Sequence, residues 1–199
     1  MRFISERIRK TYEEIGRHVY SNTLNIDNYK FIAGKYDNID EIKNAPEEGW
    51  IDFKTGDLWG EESHGWFKTS VKVPEEFAGQ TIALSFHTFL GDWDNTTNPQ
   101  FILYVNGEHI QGLDVNHQET ILTHNAVAGE VYNIDLHAHI GRIEDKKSTL
   151  HGKLVTIDEE ARKLYFNLSV PHIVATKLHE EDKRRIDMLT VLNDTINLI

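Results

Sequence analysis

The stretch that most restricts what this chain can become is residues 101–111, FILYVNGEHIQ. Residues 101–105 are aromatic, aliphatic or β-branched, side chains that suit a pleated surface. Asn106-Gly107 follows, a pair that takes the positive φ angles of a tight two-residue turn. Residues 108–111 then return, so the segment reads as an antiparallel hairpin. Its first strand is apolar on both faces, which predicts a central place in a sheet. Loops dense in Trp, Asp, Asn and His flank it, GDWDNTTNP before and GLDVNH after.

Around the hairpin, residues 49–157 repeat short β runs broken by turn residues, the pattern of a sandwich or jelly roll. Phe67, Thr69, Val71 and Val73 alternate with Trp66, Lys68, Ser70 and Lys72, so one face of that strand is apolar and the other largely wet. Ile82, Leu84 and Phe86 make a second apolar face, and Tyr132, Ile134, Leu136 and Ala138 a third. With residues 119–123 and 150–157 the count reaches seven or eight strands, enough for two packed sheets.

Helical periodicity brackets this β region. Ile4, Ile8, Tyr12, Ile15 and Val19 recur at helical spacing, so residues 1–21 read as an amphipathic helix. Residues 22–49 are polar and aperiodic and read as a long surface connection with a short strand at 30–32. At Asp158 the period returns to helical: Asp158 caps, Glu159 and Glu160 suit the positive end of the dipole, and Ala161, Leu164, Tyr165 and Leu168 form the stripe. Pro171 should kink or interrupt that helix. A second helix runs from about residue 181 to the end, which has no Gly, Pro or basic last turn. It reads either as a natural C-terminal helix docked on the sandwich or as a boundary before another domain. The expected organisation is a helix at 1–21, a β-sandwich at 22–157 and a helical segment at 158–199. The fold class is mainly β, an antiparallel sandwich of jelly-roll or galactose-binding type.

Composition narrows the partners. The 199 residues carry a net charge of −11 and no Lys/Arg-rich block, which argues against nucleic acid. There is no Cys, so disulfides and thiolate metal sites are excluded and the cytoplasm is the expected compartment. The charged N-terminus lacks the apolar core of a signal peptide or membrane span. Sequons at Asn95, Asn167 and Asn193 therefore carry no weight.

Several residues have chemistry to weigh. His137 and His139 share a strand face beside Asp135, a chelating spacing that a solvated strand face explains equally well. Asp92, Asp94 and Thr96 offer oxygens for an irregular calcium site, against a turn held by local Asp and Asn bonds. The pairs Glu61-Glu62, Glu75-Glu76 and Glu159-Glu160 are adjacent in sequence rather than opposed across a bond, as glycosidase chemistry requires. Trp59, Trp66 and Trp93 are candidates to stack on sugar rings, with Asp114, Asn116 and His117 bonding hydroxyls beside them. The alternative puts Trp66 in the core or at a sheet edge, Trp93 against its own loop and residues 114–117 at a strand end.

Taken in order, LWGEESHGWFKTSVKVPEEFAGQTIALSF, WDNTTNPQFILYVNGEHIQGLDVNH and the C-terminal helices ending in LNDTINL resemble the N-terminal region of bacterial cytoplasmic-type α-mannosidases of glycoside hydrolase family 38. The resemblance covers most of the chain from about residue 50. It implies a β-sandwich ahead of a catalytic domain that holds zinc and an Asp nucleophile and performs retaining hydrolysis of α-mannosides. His137-Ala138-His139-Ile140 imitates the family's zinc motif but has Gly141 where the motif has Asp, so no catalytic or zinc-binding residue carries over. The resemblance thus implies a non-catalytic scaffold, inactive alone, with no cofactor of its own, zinc in the catalytic domain, and that domain of the same chain as its partner. Two other roles are weighed: a carbohydrate-binding module using Trp93, Asp114, Asn116 and His117, and an interaction domain that forms a homo-oligomer through its helical faces.

Overall fold

The computed structural model describes residues 2–89, 99–141 and 147–198. Its helices are α1 (Arg2–Gly16), α2 (Ile39–Lys43), α3 (Glu159–Lys177) and α4 (Lys183–Ile196). Its strands are β1 (Tyr20–Ile26), β2 (Asn28–Ala33), β3 (Ile51–Lys54), β4 (His64–Lys72), β5 (Thr81–Phe89), β6 (Gln100–Val105), β7 (Glu108–Leu113), β8 (Glu119–Thr123), β9 (Val131–His139) and β10 (Thr149–Ile157). The chain divides into two compact units, Asn22–Thr156 on one hand and Met1–Ser21 with Ile157–Ile199 on the other.

The β unit is a two-sheet sandwich. A four-stranded sheet has the order β1-β10-β5-β8 and a six-stranded sheet the order β3-β2-β4-β9-β6-β7. The alternating patterns explain the core between them. Phe67 and Val71 of β4, Ile134 and Leu136 of β9, and Phe101 and Leu103 of β6 share one buried cluster with Ile82, Leu84 and Phe86 of β5 and Leu154 of β10. Phe67 is its aromatic hub, with ring centroids 4.6 Å from Phe31, 5.1 Å from Phe53 and 5.3 Å from Trp59.

The hairpin forms as its sequence requires, with φ of 53° at Asn106 and 83° at Gly107. The Asn106 carboxamide oxygen accepts from the Asn133 backbone N–H at 2.9 Å, tying the turn to β9. The expected central position is corrected in part: β6 lies inside the sheet but beside its edge strand β7. Only one of its faces is buried, and Ile102 on the other is 38% exposed.

Residues 22–49 depart most from their reading as a connection. They supply β1, β2 and α2, because Ile26, Tyr29, Phe31, Ile32 and Ile42 are each buried although polar residues separate them. Asn38 caps α2, its side chain accepting from the Asp40 and Glu41 backbone N–H groups. The segment that holds α2 covers Trp66, whose expected wet face is instead buried among Ile32, Ile42, Tyr36 and Trp50.

In the helical unit, α1 packs with α3 and α4 around Ile8, Tyr12, Leu168, Ala175, Leu189, Leu192 and Ile196. Helix α1 stops at Gly16 rather than continuing to residue 21, and Tyr20 already begins β1. Gly16 allows the approach of Tyr165, whose ring would sit 3.0 Å from a Cβ placed there. Asp158 caps α3 as read, accepting from the Ala161 backbone N–H at 2.9 Å. The helix is continuous through Pro171, so the expected interruption does not occur. One face of α3 is only half covered by the described residues: Phe166, Val170, Ile173 and Val174 are 48, 52, 50 and 46% exposed, at the i, i+4, i+7, i+8 spacing of a single stripe. Among the described residues no helix is long and apolar enough to cross a membrane.

Candidate functional site

The outer face of the six-stranded sheet gathers the polar side chains of four antiparallel strands into rows. His64, His139 and Gln100 lie opposite one another across β4, β9 and β6. The next row runs Trp66, His137, Ile102 and Gly112 into β7. Trp66 is roofed by the α2 segment and donates its indole N–H to the Tyr36 carbonyl at 3.0 Å. The His137 ring lies flat against it, with centroids 4.5 Å apart and planes within 5°. Beyond the roof the face opens into a cavity of about 430 Å³, bordered by His64, His137, His139, Gln100, Ile102 and Asp114.

The imidazoles are the unusual feature of this cavity. Both ring nitrogens of His137 and Nδ1 of His64 are shielded from solvent and have no hydrogen-bond partner among the described residues. The His64 ring centroid is 4.7 Å from that of His139 and 6.0 Å from that of His137. Desolvation, joined by the neighbouring histidines, pushes the pKa of His64 and of His137 below the usual imidazole range. Both influences favour the neutral ring.

The sequence candidates are distributed differently from their expected grouping. Asp114 stands at the cavity margin, but Oδ1 is committed to its own turn. It accepts from the Asn116 and His117 backbone N–H groups at 2.8 Å each and pairs with His117 Nδ1 at 2.9 Å. Desolvation is the largest influence on this carboxyl and raises its pKa, but the bonds from Asn116 and His117 together bring it below the usual carboxylate range. Asn116 and His117 are exposed. Trp93, like Asp92, Asp94 and Thr96, lies outside the described residues. Trp59 and Trp66 are 2% and 0% exposed and have no face to offer a sugar. His64 escaped the sequence reading because only the register that sets it opposite His139 reveals the cluster.

A catalytic zinc does not fit these side chains. Among the described residues no trio of His, Asp or Glu is disposed to hold a metal ion, and His137 is pinned flat against an indole.

Four imidazoles make stability depend on pH. His64, His87, His137 and His172 all have depressed pKa values, with desolvation as the leading cause in each. The unfolded chain takes up protons near pH 6.5 while the folded chain resists them. Stability should thus hold above about pH 6.5 and decline as the pH falls below it. Asp135, whose carboxyl is pushed up by burial, acts with opposite sign at the acid end. Urea midpoints across the neutral and mildly acidic range check this, and a midpoint rising on acidification would contradict it.

A family model described as the jelly-roll domain of α-mannosidase matches residues 31–173. No curated protein matches the chain. Among solved structures, the β-glucuronidase from Ruminococcus gnavus in complex with D-glucuronic acid is similar with a TM-score of 0.45 and 12% identity, over 69% of this chain and 30% of that one. The β-glucuronidase of an uncultured Clostridium sp. gives 0.44 and 14% over 69% and 29%. That of Faecalibacterium prausnitzii gives 0.46 and 12% over 69% and 32%. The chain thus spans less than a third of each of these proteins, at the 30, 29 and 32% just given.

Proposed function

The chain belongs to the family of α-mannosidase jelly-roll domains, and from that premise we propose that it is a non-catalytic region of an α-mannosidase that docks against the catalytic domain. The parent reaction in this reading is retaining, zinc-dependent hydrolysis of α-mannosides in the cytoplasm. Zinc and the nucleophile belong to the catalytic domain, and the chain contributes neither.

The observation that carries the docking role is the half-exposed stripe of Phe166, Val170, Ile173 and Val174 on α3. Neighbouring apolar side chains left in water at helical spacing mark a surface that another polypeptide covers. Each of these side chains is about half exposed, so covering it contributes roughly half of the 1.5–3 kcal/mol that burying a whole apolar side chain gives. The absence of Cys agrees with a reducing compartment.

The isolated chain should not turn over an α-mannoside with zinc present. Within an α-mannosidase that contains this chain, Val170→Asp with Ile173→Asp should weaken docking by about tenfold or more, read as a lower thermal midpoint of the whole enzyme. If the stripe instead joins copies of this chain, light scattering will show a dimer that the same double substitution converts to monomer, and the domain-docking reading fails.

A further inference from the structure

We propose that residues 34–50, the segment that carries α2 and roofs Trp66, form an acid-released flap: proton uptake by His137 lifts the segment off the six-stranded sheet and bares the apolar surface beneath it. The inference rests on different residues from the α3 stripe and does not depend on the docking role.

The device starts from the sealing of His137. Both of its ring nitrogens are shielded from solvent and have no partner among the described residues. A neutral imidazole carries one N–H and one lone pair, whereas the protonated ring carries two N–H donors and a charge. Without an acceptor or water at those donors the charged ring is costly, so the proton enters only if the packing around the ring opens. The charges nearby do not remove that conflict. Desolvation dominates at His137, His64 of β4 and His139 of β9 add to it, and Asp37 of the roof opposes it. Lys35 of the roof acts against a charge on neighbouring His64. Asp135 lies one row further along β9, where Lys68 of β4 and Lys43 of α2 answer it, and Asp114 at the cavity margin is bonded within its own turn.

The roof is the part able to yield. His137 sits in β9 between β4 and β6, and each of those strands is joined to β9 by a continuous antiparallel register. The ties of the roof are fewer: they include the Trp66 indole N–H on the Tyr36 carbonyl at 3.0 Å and the Gly34 N–H on the His64 carbonyl at 2.9 Å. Its apolar cluster, around Ile32, Ile42 and Trp66, is distinct from the core between the sheets. A small cluster of this kind opens as a local unit while the main core stays closed. Gly34, with φ of 116°, stands at one end of the segment in a conformation that glycine reaches without strain. Trp66 couples roof to ring, since it is covered by the one and stacked flat on the other with centroids 4.5 Å apart. When the roof lifts, the indole loses its cover, the stack is free to part and water reaches the imidazole.

The direction of the switch follows from linkage. The open form takes up its proton near the ordinary imidazole value of about 6.5, and the closed form resists it to lower pH. The flap is therefore shut above about pH 6.5, and its opening constant rises as the pH falls below that, approaching tenfold per pH unit for one proton.

Amide hydrogen exchange of the chain at pH 7 and pH 5, corrected for the intrinsic pH dependence of exchange, tests this. Residues 36–45 should exchange at least about tenfold faster at pH 5 after that correction, through openings that leave residues 132–136 of β9 protected. His137→Phe, which keeps a ring against Trp66 and removes both nitrogens, should abolish the acceleration. Ile42→Ala, which loosens the roof from its other side, should move the protonation midpoint of His137, followed by its ¹⁵N resonances, upwards towards about 6.5, and it decides the matter if His137→Phe does not fold. The proposal is overturned if roof and β9 amides exchange in step, if His137→Phe retains the acceleration, or if Ile42→Ala leaves the midpoint where it is.

Discussion

Phe67→Ala destabilises the sandwich by about 3–5 kcal/mol, the cost of deleting a fully buried aromatic ring and leaving its cavity. The size of the effect follows from where the ring sits. Phe67 is 1% exposed and lies within 6.2 Å, centroid to centroid, of Tyr29, Phe31, Phe53 and Trp59. These rings come from β2, β3 and the segment before β4 as well as from β4 itself, so no single element can shift to close the void. The measurement is the urea midpoint of the chain, followed by tryptophan fluorescence, because Trp59 stacks edge-on against Phe67. A loss below about 1 kcal/mol would place the ring in a site able to collapse and contradict the hub role.

The second large effect comes from adding atoms rather than removing them. Gly152 lies in β10, where a Cβ would fall 2.3 Å from the Tyr29 hydroxyl oxygen and 2.8 Å from Cε1 of Phe86. Both of those side chains are 3% exposed and have nowhere to retreat. Gly152→Val therefore forces backbone shifts and costs about 1–3 kcal/mol, even though valine is the better strand former by intrinsic preference. Gly112→Val, on the open edge strand, makes the matching control: it should be neutral or stabilising. If the two substitutions have equal effects, close packing at Gly152 is not what glycine is there to allow.

Much of the fold was legible because local chemistry and tertiary packing agree. The alternation in residues 67–73 and 132–138 marked the inner faces of β4 and β9, the Asn-Gly pair marked the hairpin turn, and Asp158 marked the start of α3. The strand read at residues 30–32 forms within β2, but the rest of residues 22–49 was misread for a physical reason. Their few anchors, such as Tyr29, Phe31 and Ile42, are separated by polar residues and bury themselves only against partners far along the chain, so no local period announces them. Trp66 was read both as a stacking candidate and as a core residue, and the structure buries it on the outer face of the sheet, among Ile32, Ile42, Tyr36 and Trp50.

The candidate site was less legible still. His137 and His139 were visible as a same-face pair, but His64 joins them through strand register across seventy-five positions, as its pairing with His139 shows. That the His137 nitrogens have no partner among the described residues is a property of burial, which no spacing rule encodes. Asp114, Asn116 and His117 were visible as a polar cluster, and the structure accounts for much of their polarity within one turn.

The central claim is that α3 presents a surface for another domain of an α-mannosidase. Amide hydrogen exchange across residues 166–174, compared between the isolated chain and an α-mannosidase that contains it, tests this most directly. The claim predicts at least about tenfold slower exchange of that stretch in the whole enzyme, in step with the free energy of covering its apolar stripe. Exchange at the same rate in both would contradict it.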